Sequence, residues 1–182
     1  MNSEGYDIKV DPGANTDPKQ LWPMWETLLA DRFQLRLHRE TRELPVYILT
    51  AAGTGLKLPA SAKDLGCVSF LPGTPPHPVP GKVDCGYIAG PYSGSTSRTL
   101  KIEGSKVRMA DLARELTMVL DRTVFDRTGF TGDFDLNLSF PPGEAYRGLP
   151  GALEEQLGLK LAAAQAPVEV LVIDHAQRPA LN

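Results

Sequence analysis

The residues Phe134-Asp135-Leu136-Asn137-Leu138-Ser139-Phe140 alternate apolar and polar without a break. Successive side chains of a strand point to opposite faces, so this pattern demands a half-buried strand with Phe134, Leu136, Leu138 and Phe140 against a core. The apolar face of such a sheet needs a second layer to cover it. Upstream, Met109, Leu112, Ala113, Leu116, Val119 and Leu120 recur at helical spacing, with Asp111, Arg114 and Glu115 expected to face away. Together these patterns predict an α+β fold, with short helices packed on antiparallel sheet.

A helix followed by two short strands recurs in three segments. In the first, Asp17-Pro18 supplies an N-cap and a proline at the first helical position, and Leu21, Trp25, Leu28 and Leu29 follow at helical spacing. Pro23 falls inside that run and is expected to kink the helix or delay its start. Phe33, Leu35 and Leu37 then alternate with Gln34, Arg36 and His38. A polar turn is expected near Thr41-Arg42-Glu43, leading into the strand Leu44-Pro45-Val46-Tyr47-Ile48-Leu49. The second segment has a strand at Thr99 to Glu103, a turn at Gly104, the helix above, and a return through the turn Thr128 to Gly132. The third has a short helix from Leu149 to Leu157 ended by Gly158, then strands at Leu159 to Leu161 and Val168 to Ile173 joined by an Ala-rich turn. The expected organisation is a first helix–hairpin unit in 1–58, an insert in 59–98 rich in Pro, Gly and Ser, and two further units in 99–182, in one domain or in two small ones joined by the insert. A long aperiodic loop of this kind is functional or a linker.

Composition removes several function classes. The chain has 182 residues and a formal net charge of -3, with no basic run, which argues against nucleic-acid binding. No apolar stretch approaches the ~20 residues that span a bilayer. The polar start Met1-Asn2-Ser3-Glu4-Gly5 carries no signal peptide, yet Tyr6-Asp7-Ile8-Lys9-Val10 reads as a strand entered at once, as if the chain were part of a longer protein. The two cysteines, Cys67 and Cys85, flank the loop Leu71 to Gly81. A disulfide between them is expected, since closing a loop of this size contributes roughly 3 kcal/mol, and it implies an oxidising compartment. Two unpaired thiols are the bland alternative, and a metal site lacks further ligands.

No strong catalytic motif is present, and no catalytic, metal-binding or cofactor-binding residue is assigned. His38 lies on the polar face of its strand, His77 sits among prolines, and Asp174-His175 follows the most apolar strand, where a carboxylate can orient an imidazole. Asp126-Arg127-Thr128-Gly129 reads as a turn in which Asp126 or Thr128 caps amides and Gly129 takes a positive φ. Asp133-x-Asp135-x-Asn137 resembles the opening of a calcium loop, but Leu138 stands where that loop needs glycine, so the strand reading holds. Gly90 to Ser97 offers amides and hydroxyls to an anion without a clear strand or helix beside it.

Three stretches carry a family resemblance. They are Leu28-Leu29-Ala30-Asp31-Arg32-Phe33-Gln34-Leu35 running into His38 to Tyr47; Met109-Ala110-Asp111-Leu112-Ala113 running to Asp126-Arg127-Thr128-Gly129-Phe130-Thr131-Gly132; and Leu153 to Leu161 with Pro167 to His175. Together they resemble a domain-of-unknown-function family of exported proteins, greatly expanded in acidobacterial soil bacteria, and would place this chain as a C-terminal portion. The resemblance implies a secretion signal and a further N-terminal portion ahead of the chain. Some relatives are attached to a membrane metallopeptidase of the antibiotic-sensor type, which implies an extracytoplasmic sensing or interaction role and no assigned activity. At the level of fold alone, the second and third segments are similar to the small α+β domains of secretins and TonB-dependent receptors, which dock partner proteins.

The expected function is therefore a non-catalytic binding or protein-interaction module outside the cytoplasm, with an envelope protein as partner. Arg36, His38, Asp133, Asp135 and Asn137 on exposed strand faces are the first surface to test. The alternatives are a hydrolase whose site assembles on folding from Asp126, His175 or His38, and a sensor domain whose membrane segment lies outside this chain.

Overall fold

The computed structural model describes residues 5–11, 17–61, 68–69, 84–86, 88–89, 99–143 and 146–179. Twelve elements are described: α1 (Pro18–Phe33), β1 (Arg36–Ala51), β2 (Val68–Ser69), β3 (Asp84–Cys85), β4 (Ile88–Ala89), β5 (Leu100–Val107), α2 (Met109–Leu120), β6 (Val124–Asp126), β7 (Phe134–Phe140), α3 (Leu149–Ala152), a π-helical turn (Leu153–Leu157) and β8 (Leu159–His175). The fold is α+β, as the sequence patterns predict. In one sheet the order is β6-β1-β8, and in the other β5 pairs with β3, β4 and β7. The sheets are not wholly antiparallel: β1 runs parallel to β6, with Tyr47 opposite Val124, and β3 runs parallel to β5.

Two of the three expected hairpins are single long strands. Thr41-Arg42-Glu43 contains no glycine, asparagine or proline to reverse the chain, and β1 passes straight through it. The Ala-rich stretch before Pro167 is likewise interior to β8. β8 is the edge of its sheet, where a residue without an N–H is tolerated. The helix–hairpin repeat is therefore not seen at the first and third segments. The expected segmentation at residues 58 and 98 turns on the 59–98 stretch, most of which lies outside the described residues.

The chain divides into two compact units: Met1–Thr41 with Glu169–Asn182, here the terminal unit, and Arg42–Val168, the central unit. The core belongs to the central unit. β7 buries Phe134, Leu136, Leu138 and Phe140 in the expected alternation, paired with β5 in register from Leu100 opposite Phe140 to Gly104 opposite Leu136. The register then slips, so that Val107 faces Phe134, and Lys106 takes a φ of 49° at the irregularity. The expected turn at Gly104 is thus a bulge inside a longer strand. α2 presents Met109, Leu112, Ala113 and Leu116 to the same core, where Leu149, Leu153, Leu157 and Leu159 also meet.

Asp111 does not face away as the helical pattern suggests; it is buried. Its carboxylate folds back over the helix start and accepts hydrogen bonds from the Arg108 backbone N–H (3.1 Å), Arg108 Nε (3.1 Å) and Arg114 Nη2 (3.1 Å). An acid at the third helical position offers the orphan amide at the N-terminus a partner, and that local demand overrides the facial pattern. Burial alone would raise the Asp111 pKa. The Arg108 hydrogen bonds and the two guanidinium charges outweigh it and hold the group below its ordinary 3.8.

Gly158 ends the third helical segment in a left-handed conformation (φ 69°), as expected. It has a second task. A Cβ here would stand 1.8 Å from the Gly55 carbonyl oxygen, so the close approach of the 52–57 loop depends on glycine. That approach allows the Ala52 N–H to bond Gly158 O (2.8 Å) and the Lys57 N–H to bond Leu157 O (3.0 Å). The Lys57 ammonium also donates to Glu155 O (2.8 Å), a cation at a helix C-terminus.

The outer edge of β7 is partly covered. Ser61 and Asp135 donate backbone hydrogen bonds to Asp133 O and Pro59 O. Farther along, the Gln156 amide accepts from the Ser139 N–H (3.1 Å) and donates to Ser139 O (2.6 Å).

Candidate functional site

The terminal unit contains the candidate site. α1 starts at Pro18 and runs on through Pro23, which at the sixth helical position cannot donate a bond to the carbonyl four residues earlier. Helix pairs four apart then fix the first side chains: Trp22 Nε1 donates to Glu26 Oε1 (3.0 Å), and Thr27 Oγ1 donates to Pro23 O (3.0 Å). Gln34, with φ 49°, ends the helix in the left-handed region, and the Leu35 N–H reaches back to Leu29 O (3.4 Å). This tight exit brings the start of β1 alongside α1.

Between them lies a cleft of about 1000 Å³. Its apolar walls are Trp22, Trp25, Leu29 and Ala30 from α1, Leu35 and Leu37 at the start of β1, and Leu171 from β8. Glu26, Arg36, His38 and Arg39 supply the polar lining. The volume and the mix of many apolar groups with few polar ones match those of ligand pockets. No described residue of the terminal unit is buried.

Most polar groups of the cleft already have partners. His38 Nδ1 lies 2.9 Å from both Asp174 carboxylate oxygens, and its Nε2 lies 3.8 Å from Glu40. The hydrogen bond to Asp174 and its negative charge raise the His38 pKa above 6.5, with a smaller push from Glu40. Arg39 pairs with Glu169. Arg36 has no hydrogen bond or ion pair among the described residues.

Of the residues singled out in the sequence, the fold gathers Arg36 and His38 at this cleft. Asp174 serves His38 rather than its chain neighbour His175, which is half-buried at the end of β8. Asp126 is engaged in the expected turn: its carboxylate accepts from the Thr128 N–H (2.9 Å) and hydroxyl (2.8 Å), and Gly129 has φ 73°. Asp133 and Asn137 are exposed, while Asp135 is half-buried and accepts from Ser61 Oγ (2.8 Å) and the Lys106 N–H (3.3 Å). That is strand and loop structure. Cys85 stands in β3; Cys67, His77 and Gly90 to Ser97 lie outside the described residues. Among the described residues no group of three or more His, Cys, Asp or Glu could hold a metal ion, and no helix is long and apolar enough to cross a membrane.

The cleft itself escaped sequence reading. Trp25 and Leu29 look like ordinary core positions of an amphipathic helix. The available signal was that both tryptophans of the chain fall within one turn of α1.

The family described as "Protein of unknown function (DUF3738)" matches residues 1–176. No curated protein matches the chain. No solved structure matches it either.

Proposed function

Because the chain belongs to the DUF3738 family of proteins of unknown function, its own geometry is the guide, and we propose that it is a non-catalytic binding module working through the cleft of the terminal unit. One observation carries the reading: an aromatic-walled cleft sits in a unit that buries none of its described side chains. Among the described residues, the exposed large apolar side chains Tyr6, Ile8, Val10, Trp22, Met24, Trp25, Leu37, Leu171 and Ile173 belong to this unit, and Met118 alone belongs to the other. An apolar surface concentrated in one region marks an interaction site.

The module acts outside the cytoplasm in this reading, with Cys67 and Cys85 joined in a disulfide. In support, no cysteine is free among the described residues. A hydrolytic reading gains nothing from Asp126, whose carboxylate is committed to its turn.

The test is a photo-crosslinking residue at Leu171, with Met118 as the exposed apolar control in the other unit. Adducts, protein or small molecule, are read by mass spectrometry in the native envelope fraction. A recurrent adduct from Leu171 and none from Met118 is expected. Equal labelling from both positions, or none from either, would remove the cleft as the working surface.

A further inference from the structure

We propose that the occupant of this cleft is an apolar-bodied carboxylate of the long-chain fatty-acid type, its head held by Arg36; this rests on the binding-module reading above. The argument is one of matching groups. The walls, from Trp22 and Trp25 to Leu37 and Leu171, offer hydrocarbon and aromatic surface. A body carrying many amides would need hydrogen-bond partners along those walls to offset its desolvation. Polar side chains of the lining are already engaged: Trp22 with Glu26, His38 with Asp174, and Arg39 with Glu169. A methylene chain needs no such partners.

One cation of the lining is left over, while Glu26 keeps its negative charge and, among the described residues, accepts only from the neutral Trp22 N–H. Arg36 has no hydrogen bond or ion pair among the described residues, and a guanidinium presents paired N–H donors that fit a carboxylate fork. The cleft therefore offers one anion position and an extended apolar surface beside it. An alcohol lacks the charge, and an amine carries the wrong one for Arg36.

The experiment uses the chain's own reporters, since its only two tryptophans both line the cleft. Intrinsic fluorescence is titrated with laurate, below its micelle concentration, and with dodecanol and dodecylamine as matched controls. Laurate is expected to change the emission saturably and to bind most tightly of the three. Affinity across the C8, C10 and C12 carboxylates is expected to rise by about two- to fourfold per methylene. Arg36→Gln is expected to weaken laurate about tenfold and leave dodecanol unchanged, while Arg36→Lys, which keeps the charge without the fork, falls between. Circular dichroism of each variant verifies folding. An unchanged laurate affinity in Arg36→Gln, or an equal response to dodecylamine, would overturn the proposal. A protein blind to laurate that still gives a Leu171 adduct keeps the binding module and removes this ligand; a polypeptide adduct there would name a protein occupant instead.

Discussion

Ile102 and Leu138 in the central unit are completely shielded from solvent, whereas Trp22, Leu171 and Ile173 in the terminal unit are 62%, 48% and 65% exposed. Both units draw on similar side chains, so hydropathy does not separate them. What differs is the number of layers. In the central unit α2, α3 and the π-helical turn add their leucines to the apolar face of β5 and β7, and the core closes. The terminal unit has one described helix and the ends of two strands, and a unit this small cannot enclose its own apolar groups. The lesson is that a strand or helix can carry a core-like pattern and still present it outward when no further layer arrives.

The contrast can be broken first where it is strongest. Leu138→Ala is expected to cost about 2–5 kcal/mol in denaturant unfolding, because a closed core relaxes poorly around a deletion. A loss under 1 kcal/mol would mean that this core is much looser than its burial implies. Gly158→Ala should follow at about 3 kcal/mol, combining a left-handed φ with a collision against Gly55. Asp111→Asn is expected to cost about 1–2 kcal/mol by weakening the helix start. The sign of its pH dependence is fixed: a depressed carboxyl pKa stabilises above the unfolded value near 3.8 and stops doing so as pH falls through the folded value. The wild type should therefore lose stability on acidification more steeply than the Asn variant.

In the terminal unit the expected effects are smaller and of another kind. Leu171→Ser should change stability by no more than about 0.5 kcal/mol while depleting whatever binds the cleft. A large unfolding penalty would show that Leu171 is a core residue after all. Smallest is the effect at His38, whose side chain is exposed. An NMR titration should give a midpoint above 6.5, and Asp174→Asn should move it down. A raised histidine pKa stabilises below 6.5 and loses that contribution as pH rises through the folded value, so this ribbon should be held best in mild acid. An unchanged midpoint in the variant would show that the pair does not persist in solution.

How much of this was legible follows from range. The strand at Phe134 to Phe140, the helix from Met109, the turn at Asp126 to Gly129 and the cap at Gly158 are set by neighbours within a few residues, and each was readable. β1 and β8 read as hairpins in the sequence because a local polar or Ala-rich stretch looks like a turn until a pairing strand holds it straight. The facial position of Asp111 points outward in the helical pattern, whereas the backbone amide three residues earlier draws its carboxylate back over the helix start. The pairing of His38 with Asp174 joins residues 136 positions apart, beyond any periodicity. The cleft needed that same long-range pairing, since Leu171 meets the residues of α1 and β1 only once the strands come together.

The Gln156 side chain has a consequence for how this protein behaves at high concentration. A primary amide carries one acceptor and one donor side by side, the same pair that a neighbouring strand would present to Ser139. One residue thus imitates a missing strand. With residues 59–61 occupying the start of the same edge, β7 has less unsatisfied backbone with which to recruit another molecule. The sheet that carries the core is in this way fitted with its own guard against strand-templated aggregation.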